Sequence, residues 1–114
     1  MEATATVKYL RVSPQKARLV VDLIRGKKAG DALSLLRLTK KAITHEVEKV
    51  LRSAIANAEQ KSEHLDVDEL VVTRAFVNEG PRQKRIRPAP MGRAYRYQRR
   101  TSSITVAVEQ PESA

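Results

Sequence analysis

The chain has 114 residues and a mass of 12.8 kDa, the size of one domain, and 41% of its residues are apolar, which is enough to build a core. Its 22 Lys and Arg outnumber 13 Asp and Glu, so the net charge of +9 predicts a polyanionic partner, with nucleic acid favoured over an anionic membrane. The lack of cysteine excludes disulfides, Cys-ligated zinc and a thiol nucleophile, and no apolar run is long enough to predict a membrane span.

The chain begins with a pattern that predicts a strand followed by a helix. Residues 3–10 alternate between apolar and polar side chains, and the expected inward side consists of Ala3, Ala5, Val7 and Tyr9. Ser13 and Pro14 predict the N-cap and first position of a helix, and Gly26 predicts its end. The apolar face of this helix is expected to consist of Ala17, Val20, Val21 and Ile24, widened by Leu19 and Leu23.

Two more helices are predicted before the next strand. A short one spans about residues 31–38. Thr39 is expected to cap a long one over about 40–62, in which Glu48 and Arg52 form a favourable i,i+4 ion pair. The solvent side of the long helix is predicted to carry His45, Lys49, Arg52 and Glu59.

The second half of the chain has the period of β-strands. Strands are predicted over about 67–77 and 104–108, and the tail 110–114 is expected to fray. The order β-α-α-α-β-β contains no regular βαβ crossover. It predicts a single domain of the α+β class, in which three helices pack on one face of a small three-stranded antiparallel sheet.

A basic segment of about twenty residues separates the last two strands, which is long for a loop inside a compact domain. The reversal is expected at Pro88–Gly92, so residues 80–100 predict a protruding basic β-hairpin, called here the arm, with a reach of roughly 30 Å. The body then comprises about 3–79 and 101–109. Because a charged hairpin has little apolar surface to bury, we expect a binding partner to order it.

The charges are segregated along the chain. The arm has eight basic side chains and no acidic one, residues 1–41 have ten against three, and residues 42–79 have four against eight. Solubility alone does not require this separation. Arginine binds phosphate through two hydrogen bonds, and interleaved tyrosines suit stacking on unpaired RNA bases. The residues of the arm predicted to bind RNA are Arg82, Lys84, Arg85, Arg87, Arg93, Tyr95, Arg96, Tyr97, Arg99 and Arg100; the alternative is a disordered basic linker.

The body offers two further candidate phosphate sites. Lys40 and Lys41 stand at the predicted start of the third helix, where free backbone N–H groups attract anions, although both lysines could point into water instead. The second site lies around the start of the first helix, although Arg18 could pair with Asp22 instead. It consists of Lys8, Arg11, Lys16 and Arg18.

The sequence contains no pattern typical of an enzyme or a metal site. His45 and His64 lack the spacing of metal ligands, and the acidic residues 63–69 lack the glycine and the spacing of a calcium loop. No catalytic triad, nucleotide-binding glycine loop or zinc-protease motif is present. We therefore predict neither an enzyme, nor a metal, nor a cofactor.

Much of the sequence resembles the family of large-subunit ribosomal protein twenty-two, of the bacterial or organellar type. The resemblance covers about residues 5–109. It is carried by the segments 11–27 (RVSPQKARLVVDLIRGK), 53–59 (SAIANAE), 78–81 (NEGP), 84–85 (KR), 87–88 (RP), 92–94 (GRA) and 100–106 (RTSSITV).

This resemblance implies a structural constituent of the large ribosomal subunit. Such a protein binds 23S-type ribosomal RNA, contacts several RNA domains, supports early subunit assembly and places its body near the outer mouth of the nascent-peptide exit tunnel. It also implies neighbouring large-subunit proteins as partners, a hairpin that lines the tunnel, and a location in the ribosome of the cytoplasm or of an organellar matrix.

The resemblance also assigns roles by position. It makes Ser13 an RNA contact together with Lys8, Arg11, Lys16, Arg18 and the arginines of the arm. The tip that faces the tunnel and the nascent polypeptide would be Arg87, Pro88, Ala89, Pro90, Met91, Gly92 and Arg93. Many family members carry more basic residues at this tip, whereas Pro88–Gly92 is uncharged here.

Two competing classes fit the residues less well. A DNA-compacting or general nucleic-acid chaperone is also small and basic, but such proteins usually have a dimerisation surface and a repeated arm, and this chain predicts one arm. A membrane-active helix needs an apolar helical face, and the basic segment contains Pro and Gly instead.

Overall fold

A computed structural model of the chain describes residues 2–39, 41–61, 66–81, 83–88, 92 and 94–110. Its elements, in chain order, are β1 (Glu2–Leu10), α1 (Pro14–Ile24), α2 (Ala29–Leu38), α3 (Ile43–Lys61), a 3-10 turn (Val67–Glu69), β2 (Val71–Glu79), β3 (Gln83–Pro88), β4 (Ala94–Arg99) and β5 (Ser102–Glu109). The predicted order is confirmed, with β3 and β4 inserted as the two strands of the arm.

The sheet of the body has the strand order β1-β5-β2, and both pairings are antiparallel. Val106 of the central strand lies opposite Ala5 on one side and Ala75 on the other. α1 packs against β2, and α3 packs against β1 and β5, so the helices cover one face of the sheet. This is the predicted α+β architecture.

The core between helices and sheet is aliphatic. Its largest fully buried side chains include Ile24, Leu36, Leu51 and Ile104. The apolar face of α1 is narrower than predicted, because Leu19 and Leu23 are 56% and 39% exposed. The stripe from Ala17 to Ile24 is sufficient to cover β2, and the two leucines lie to the side of it.

Side chains of α3 cover one edge of the sheet, and the loop after α1 covers the other. On the β1 edge, Asn57 Nδ2 donates to the carbonyl oxygen of Thr4 at 2.8 Å, and Lys61 Nζ donates to that of Glu2 at 3.2 Å. These two bonds show that α3 runs antiparallel to β1. On the β2 edge, the loop after α1 joins the ladder, since Gly26 N donates to Val72 O at 2.9 Å. An edge covered in this way offers fewer free backbone groups to another chain.

Two predicted boundaries were wrong, each because a side chain bonds to nearby backbone. Thr39 does not cap α3. Its hydroxyl donates to Leu35 O at 2.8 Å, and its N–H donates to carbonyl oxygens of the last turn of α2, so Thr39 ends α2. The third helix, α3, begins at Ile43. The strand predicted from residue 67 begins at Val71 instead. The carboxylate of Asp66 accepts from Asp68 N at 3.0 Å and turns residues 67–69 into a 3-10 helix.

Two strands also contain register shifts that no alternation pattern predicts. Between Val72 and Arg74 the β2–β5 register shifts, which keeps Val72, Ala75 and Val77 on the buried side. Between Val7 and Leu10 the β1–β5 register shifts as well. Tyr9 therefore does not lie on the inward side as predicted: it is 66% exposed and has a φ of +63°.

The arm is a separate two-stranded antiparallel sheet. β3 and β4 pair from Gln83↔Arg99 to Pro88↔Ala94, and Gly92, in the predicted reversal, has a φ of +73°. The molecule measures 68 Å along its longest axis against 26 and 19 Å along the others. Of the predicted tail, Gln110 bonds to Asp66 and Glu69 of the 3-10 turn, and residues 111–114 lie outside the described residues.

Candidate nucleic-acid interface

The backbone register of the arm sorts its residues into two faces. Directly paired residues lie on the same side of an antiparallel ladder, and successive residues alternate. Arg85 pairs with Tyr97 and Arg87 with Tyr95, so both tyrosines share a face with two arginines. The opposite face is given by the pairs Lys84↔Gln98 and Ile86↔Arg96. Arg82 and Arg93, which were also predicted to bind RNA, lie outside the described residues, as do positions 89–91 of the predicted tip.

The root of the arm is fixed to the body by a close backbone approach. Gly80 N donates to Thr101 O at 2.8 Å, and the Thr101 hydroxyl donates to Pro81 O at 2.7 Å. A Cβ on Gly80 would lie 2.4 Å from Thr101 Oγ1, so only glycine fits there without a shift. Thr101 is 8% exposed. The two strands of the arm thus leave the body at a tightly bonded junction.

The same junction also holds the chain just before α1. Ser102 is fully buried, and its hydroxyl donates to Val12 O at 2.7 Å. Lys8, Arg11 and Lys16 lie around this point and are all exposed. The structure therefore brings the basic residues before and within α1 to the end of the body from which the arm leaves.

Ser13 and Lys16 mark the N-terminus of α1. Ser13 Oγ accepts from Lys16 N at 3.4 Å, which confirms Ser13 as the predicted N-cap. The assignment of Ser13 as an RNA contact stays a prediction, as do the RNA contacts assigned to the neighbouring lysines and arginines.

Arg18 has a structural role that the sequence does not indicate. Its Nη2 donates to Val77 O of β2 at 3.1 Å, and Arg25 donates to Ala75 O through Nε at 3.1 Å and Nη2 at 2.6 Å. The alternative in which Arg18 pairs with Asp22 is not what the structure shows, because Asp22 pairs with Arg25 at 2.9 Å. Both arginines fasten α1 to the edge of the sheet. Arg18 remains exposed, so its other N–H groups face solvent.

Lys41 is exposed and precedes the first residue of α3 by two positions, whereas Lys40 lies outside the described residues. The carbonyl oxygen of Lys41 accepts from Thr44 N at 3.1 Å and from Thr44 Oγ1 at 2.6 Å. Since α3 runs antiparallel to β1, it begins at the end of the sheet where the arm leaves. Lys41 thus lies toward the basic end of the body.

A group of acidic residues lies at the opposite end, whereas Glu79 lies beside the junction. Glu2 is directly opposite Glu109 in the sheet, and Gln110 links this end to Asp66 and Glu69 of the 3-10 turn. Glu2 also forms an ion pair with Arg74. The end of the body that carries the exposed Lys8, Arg11 and Lys16 is called here the basic end, and the arm extends from it. These exposed cations attract a polyanion to that end.

A second ion-pair group lies on the helical side. Glu48 Oε1 is 2.7 Å from Arg52 Nη2, as predicted, and 3.3 Å from Arg37 Nε of α2. Partial desolvation raises the pKa of the Glu48 carboxyl, but the hydrogen bonds and charges of the two arginines outweigh it and lower the pKa from its ordinary value. Glu48 thus links Arg37 of α2 to Arg52 of α3. The predicted solvent side of α3 is confirmed, since its four residues are all exposed: His45, Lys49, Arg52 and Glu59.

Among the described residues, no helix is both long and apolar enough to cross a membrane. Within the same ranges, no three His, Asp or Glu side chains lie close enough together to hold a metal ion. His64 and Glu63 are outside those ranges.

Comparison with known proteins connects this surface to a family. Residues 5–109 match the family described as ribosomal protein L22p/L17e. The large ribosomal subunit protein uL22 of Solibacter usitatus (strain Ellin6076) is 64% identical over 113 residues, which cover 99% of this chain and all of the relative. The protein of the same name from Koribacter versatilis (strain Ellin345) is 54% identical over 112 residues, covering 95% of this chain and 67% of the relative.

The match includes β1 from residue 5 onward, the basic end of the body, both strands of the arm and all of β5. It confirms the expectation, drawn from the residues and from the resemblance, of a ribosomal protein that is not an enzyme. The chain belongs to the ribosomal protein L22p/L17e family.

Proposed function

We propose that the protein is a structural constituent of the large ribosomal subunit that binds large-subunit ribosomal RNA through the arm and the basic end of the body. One observation carries the proposal: the exposed Lys8, Arg11 and Lys16 lie at the end of the body from which the basic arm leaves, whereas a group of acidic residues lies at the other end, namely Glu2, Asp66, Glu69 and Glu109. The names of the two relatives support the large subunit as the site of assembly. Since both relatives are bacterial, the ribosome of a bacterial cytoplasm is the proposed location.

The two parts of the interface have different chemistry. The exposed lysines and arginines around α1 supply phosphate contacts, which position a protein on RNA without reading its sequence. The arm adds two tyrosines at alternate positions of one face, and aromatic rings bind unpaired bases by stacking. The body therefore anchors the protein on the RNA backbone, and the arm binds irregular RNA further away.

The length of the molecule supports a role in joining RNA segments. An elongated shape of 68 Å allows the arm and the body to contact RNA segments that are far apart. A protein that bridges such segments favours their folded arrangement, and this is how it would support early subunit assembly. Neighbouring large-subunit proteins would cover parts of the body that RNA does not.

The arm is further proposed to line the nascent-peptide exit tunnel, with the body near the tunnel mouth and residues 87–93 facing the nascent polypeptide. The support is the resemblance by position together with the observed extension of β3 and β4 away from the body. The uncharged stretch Pro88–Gly92 would give this part of the wall few groups that bind a passing chain.

The test is direct binding of the purified protein to transcripts of large-subunit ribosomal RNA at several salt concentrations. If the interface neutralises roughly 6–8 phosphates, the log–log slope of affinity against salt should be about −4 to −7. Random duplex DNA serves as the control and should bind more weakly. A slope near −1, or equal affinity for the duplex, would refute the proposal.

Two variants test where the interface lies. Replacing Arg99 and Arg100 by Ala should weaken RNA binding, whereas replacing Lys49 by Ala on the solvent face of α3 should not. Lys49 is a better control than Arg52, because Arg52 lies 2.7 Å from Glu48, whereas Lys49 forms only a 4.0 Å ion pair with Glu46. Equal losses in the two variants would show that the charge of the whole protein, rather than the arm, determines binding.

A further inference from the structure

Tyr9 adopts a backbone conformation that bulky residues avoid. Among the described residues it is the one non-glycine residue with a positive φ, at +63°. In this left-handed region Cβ crowds the backbone, so a bulky residue there is an outlier that needs a reason. Strained residues of this kind persist where the surroundings hold them, and they cluster at functional sites.

The chain on both sides of Tyr9 is held in place. Val7 pairs with Ile104, and after the register shift Leu10 pairs with Ser102. Val12 N then donates to Leu10 O at 2.9 Å, and Ser102 bonds to Val12 O. Because of the register shift, Tyr9 does not follow the alternation of strand side chains that would have placed it on the buried side. The strain is therefore built into the strand and is not a feature of a loose loop.

The phenol ring contributes little to the fold. The residue is 66% exposed, so it buries little of its large apolar surface. Glycine would adopt the same φ without strain. In the free protein this side chain requires a strained backbone and buries little surface. We therefore look for its role in a complex.

The surroundings of the ring indicate the chemistry of the partner. Lys8 and Arg11 flank Tyr9 in sequence and are exposed, and the junction that holds the arm is bonded to Val12. An exposed aromatic ring between two cations is the combination that binds single-stranded RNA: the ring stacks on a base and the cations bind the phosphates beside it.

We propose that Tyr9 stacks on an unpaired base of the bound RNA, with Lys8 and Arg11 on the adjacent phosphates. This proposal rests on the proposed function, since it requires that the protein binds ribosomal RNA. It adds to that function a base-contacting residue on the body, where the charges alone predict only phosphate contacts.

Substitutions of Tyr9 separate strain from binding. Tyr9→Gly removes the strain and the ring, so the free protein should melt at or above the temperature of the wild type, while affinity for large-subunit RNA transcripts should fall about tenfold. Tyr9→Phe keeps the ring and should bind within twofold of the wild type. A clearly lower melting temperature of Tyr9→Gly would instead show that the ring supports the fold, and would overturn the proposal.

Fluorescence gives a second, local readout. The chain contains no tryptophan, so Tyr9→Trp creates a single reporter at the site. Stacking on a base should quench its emission when RNA is added. Phe76→Trp is the control, because Phe76 is 37% exposed on β2 and its neighbours in sequence, Ala75 and Val77, carry no charge. Its emission should change little.

The outcomes distinguish the two proposals. If the wild type fails to bind the transcripts, the proposed function itself is wrong. If the wild type binds but Tyr9→Gly binds equally well, or Tyr9→Trp stays bright, the function stands and the stacking role is refuted. In that case the exposed ring serves another partner, such as a neighbouring protein.

Discussion

The junction between body and arm allows a sharp test by one methyl group. Gly80→Ala would place a Cβ 2.4 Å from Thr101 Oγ1 and 3.3 Å from the Thr101 carbonyl carbon and Cβ. The hydroxyl cannot move away freely, since it donates to Pro81 O and Thr101 is buried. The substitution must therefore either rotate Thr101 or separate the two strands at the point where the arm begins.

The expected magnitude follows from these contacts. Rotating Thr101 breaks one hydrogen bond, worth about 0.5–1.5 kcal/mol, and an unfavourable rotamer costs about as much again. In the opposite direction, alanine lowers the conformational entropy of the unfolded chain, which stabilises the folded protein by about 0.4–1 kcal/mol. We expect Gly80→Ala to lower the free energy of unfolding by about 1–2 kcal/mol.

A double-mutant cycle isolates the contact. In a Thr101→Ala background the clashing oxygen is gone, so adding Gly80→Ala should cost less than about 0.5 kcal/mol, which gives a coupling of roughly 1 kcal/mol. Urea unfolding followed by circular dichroism measures all four proteins, provided that the slope m is unchanged. An equal cost of Gly80→Ala in both backgrounds would refute the reasoning, because the hydroxyl would then not be the obstacle.

Three further predictions follow from contacts described above. Arg18→Ala should lower the free energy of unfolding of the free protein by about 1 kcal/mol through loss of its bond to Val77 O, whereas Lys16→Ala should change it by less than about 0.5 kcal/mol. Equal thermal or urea unfolding of the two variants would contradict the role of Arg18 in holding α1 to the sheet edge. Because the folded pKa of Glu48 is lowered, its stabilising contribution is present above the ordinary glutamate pKa and lost as pH falls through the folded value. The stability difference between wild type and Glu48→Gln should therefore shrink on acidification, and a difference constant with pH would argue against the ion pairs. Deleting residues 88–91 removes no charge, so RNA affinity should change less than about fivefold, while a reporter of nascent-chain stalling should respond; abolished binding would make the tip an anchor.

The helices and the sheet could be predicted because their signals are local. The apolar stripe of α1, the Ser13 cap and the alternation around Val106 each repeat at the period of their element, and burial follows from the period. The arm could also be predicted, since a long charged segment between two strands has few other arrangements. The prediction that Leu19 and Leu23 belong to the buried face of α1 was wrong. The width of the apolar stripe that β2 can cover is a property of the packed structure and not of the helix sequence.

The unpredicted parts of the candidate site involve contacts between distant residues. Arg18 bonds to Val77 and Ser102 to Val12, and nothing in either local sequence indicates its partner. The left-handed conformation of Tyr9 results from a register shift, which an alternation pattern cannot reveal. The one available signal was its position between Lys8 and Arg11, an aromatic residue between two cations.

The place of β5 in the sheet has a consequence for synthesis of the chain. β5 follows β1 and β2 in the chain and lies between them in the sheet, so β1 and β2 have no neighbouring strand until residues 102–109 exist. A chain that stops before Ser102 contains the arm and the basic residues around α1. It lacks the sheet and the Thr101–Ser102 junction that hold these two parts together. Such a fragment can attract RNA only as an unfolded polycation. The strand order therefore makes synthesis of β5 a condition for presenting the arm from a folded body.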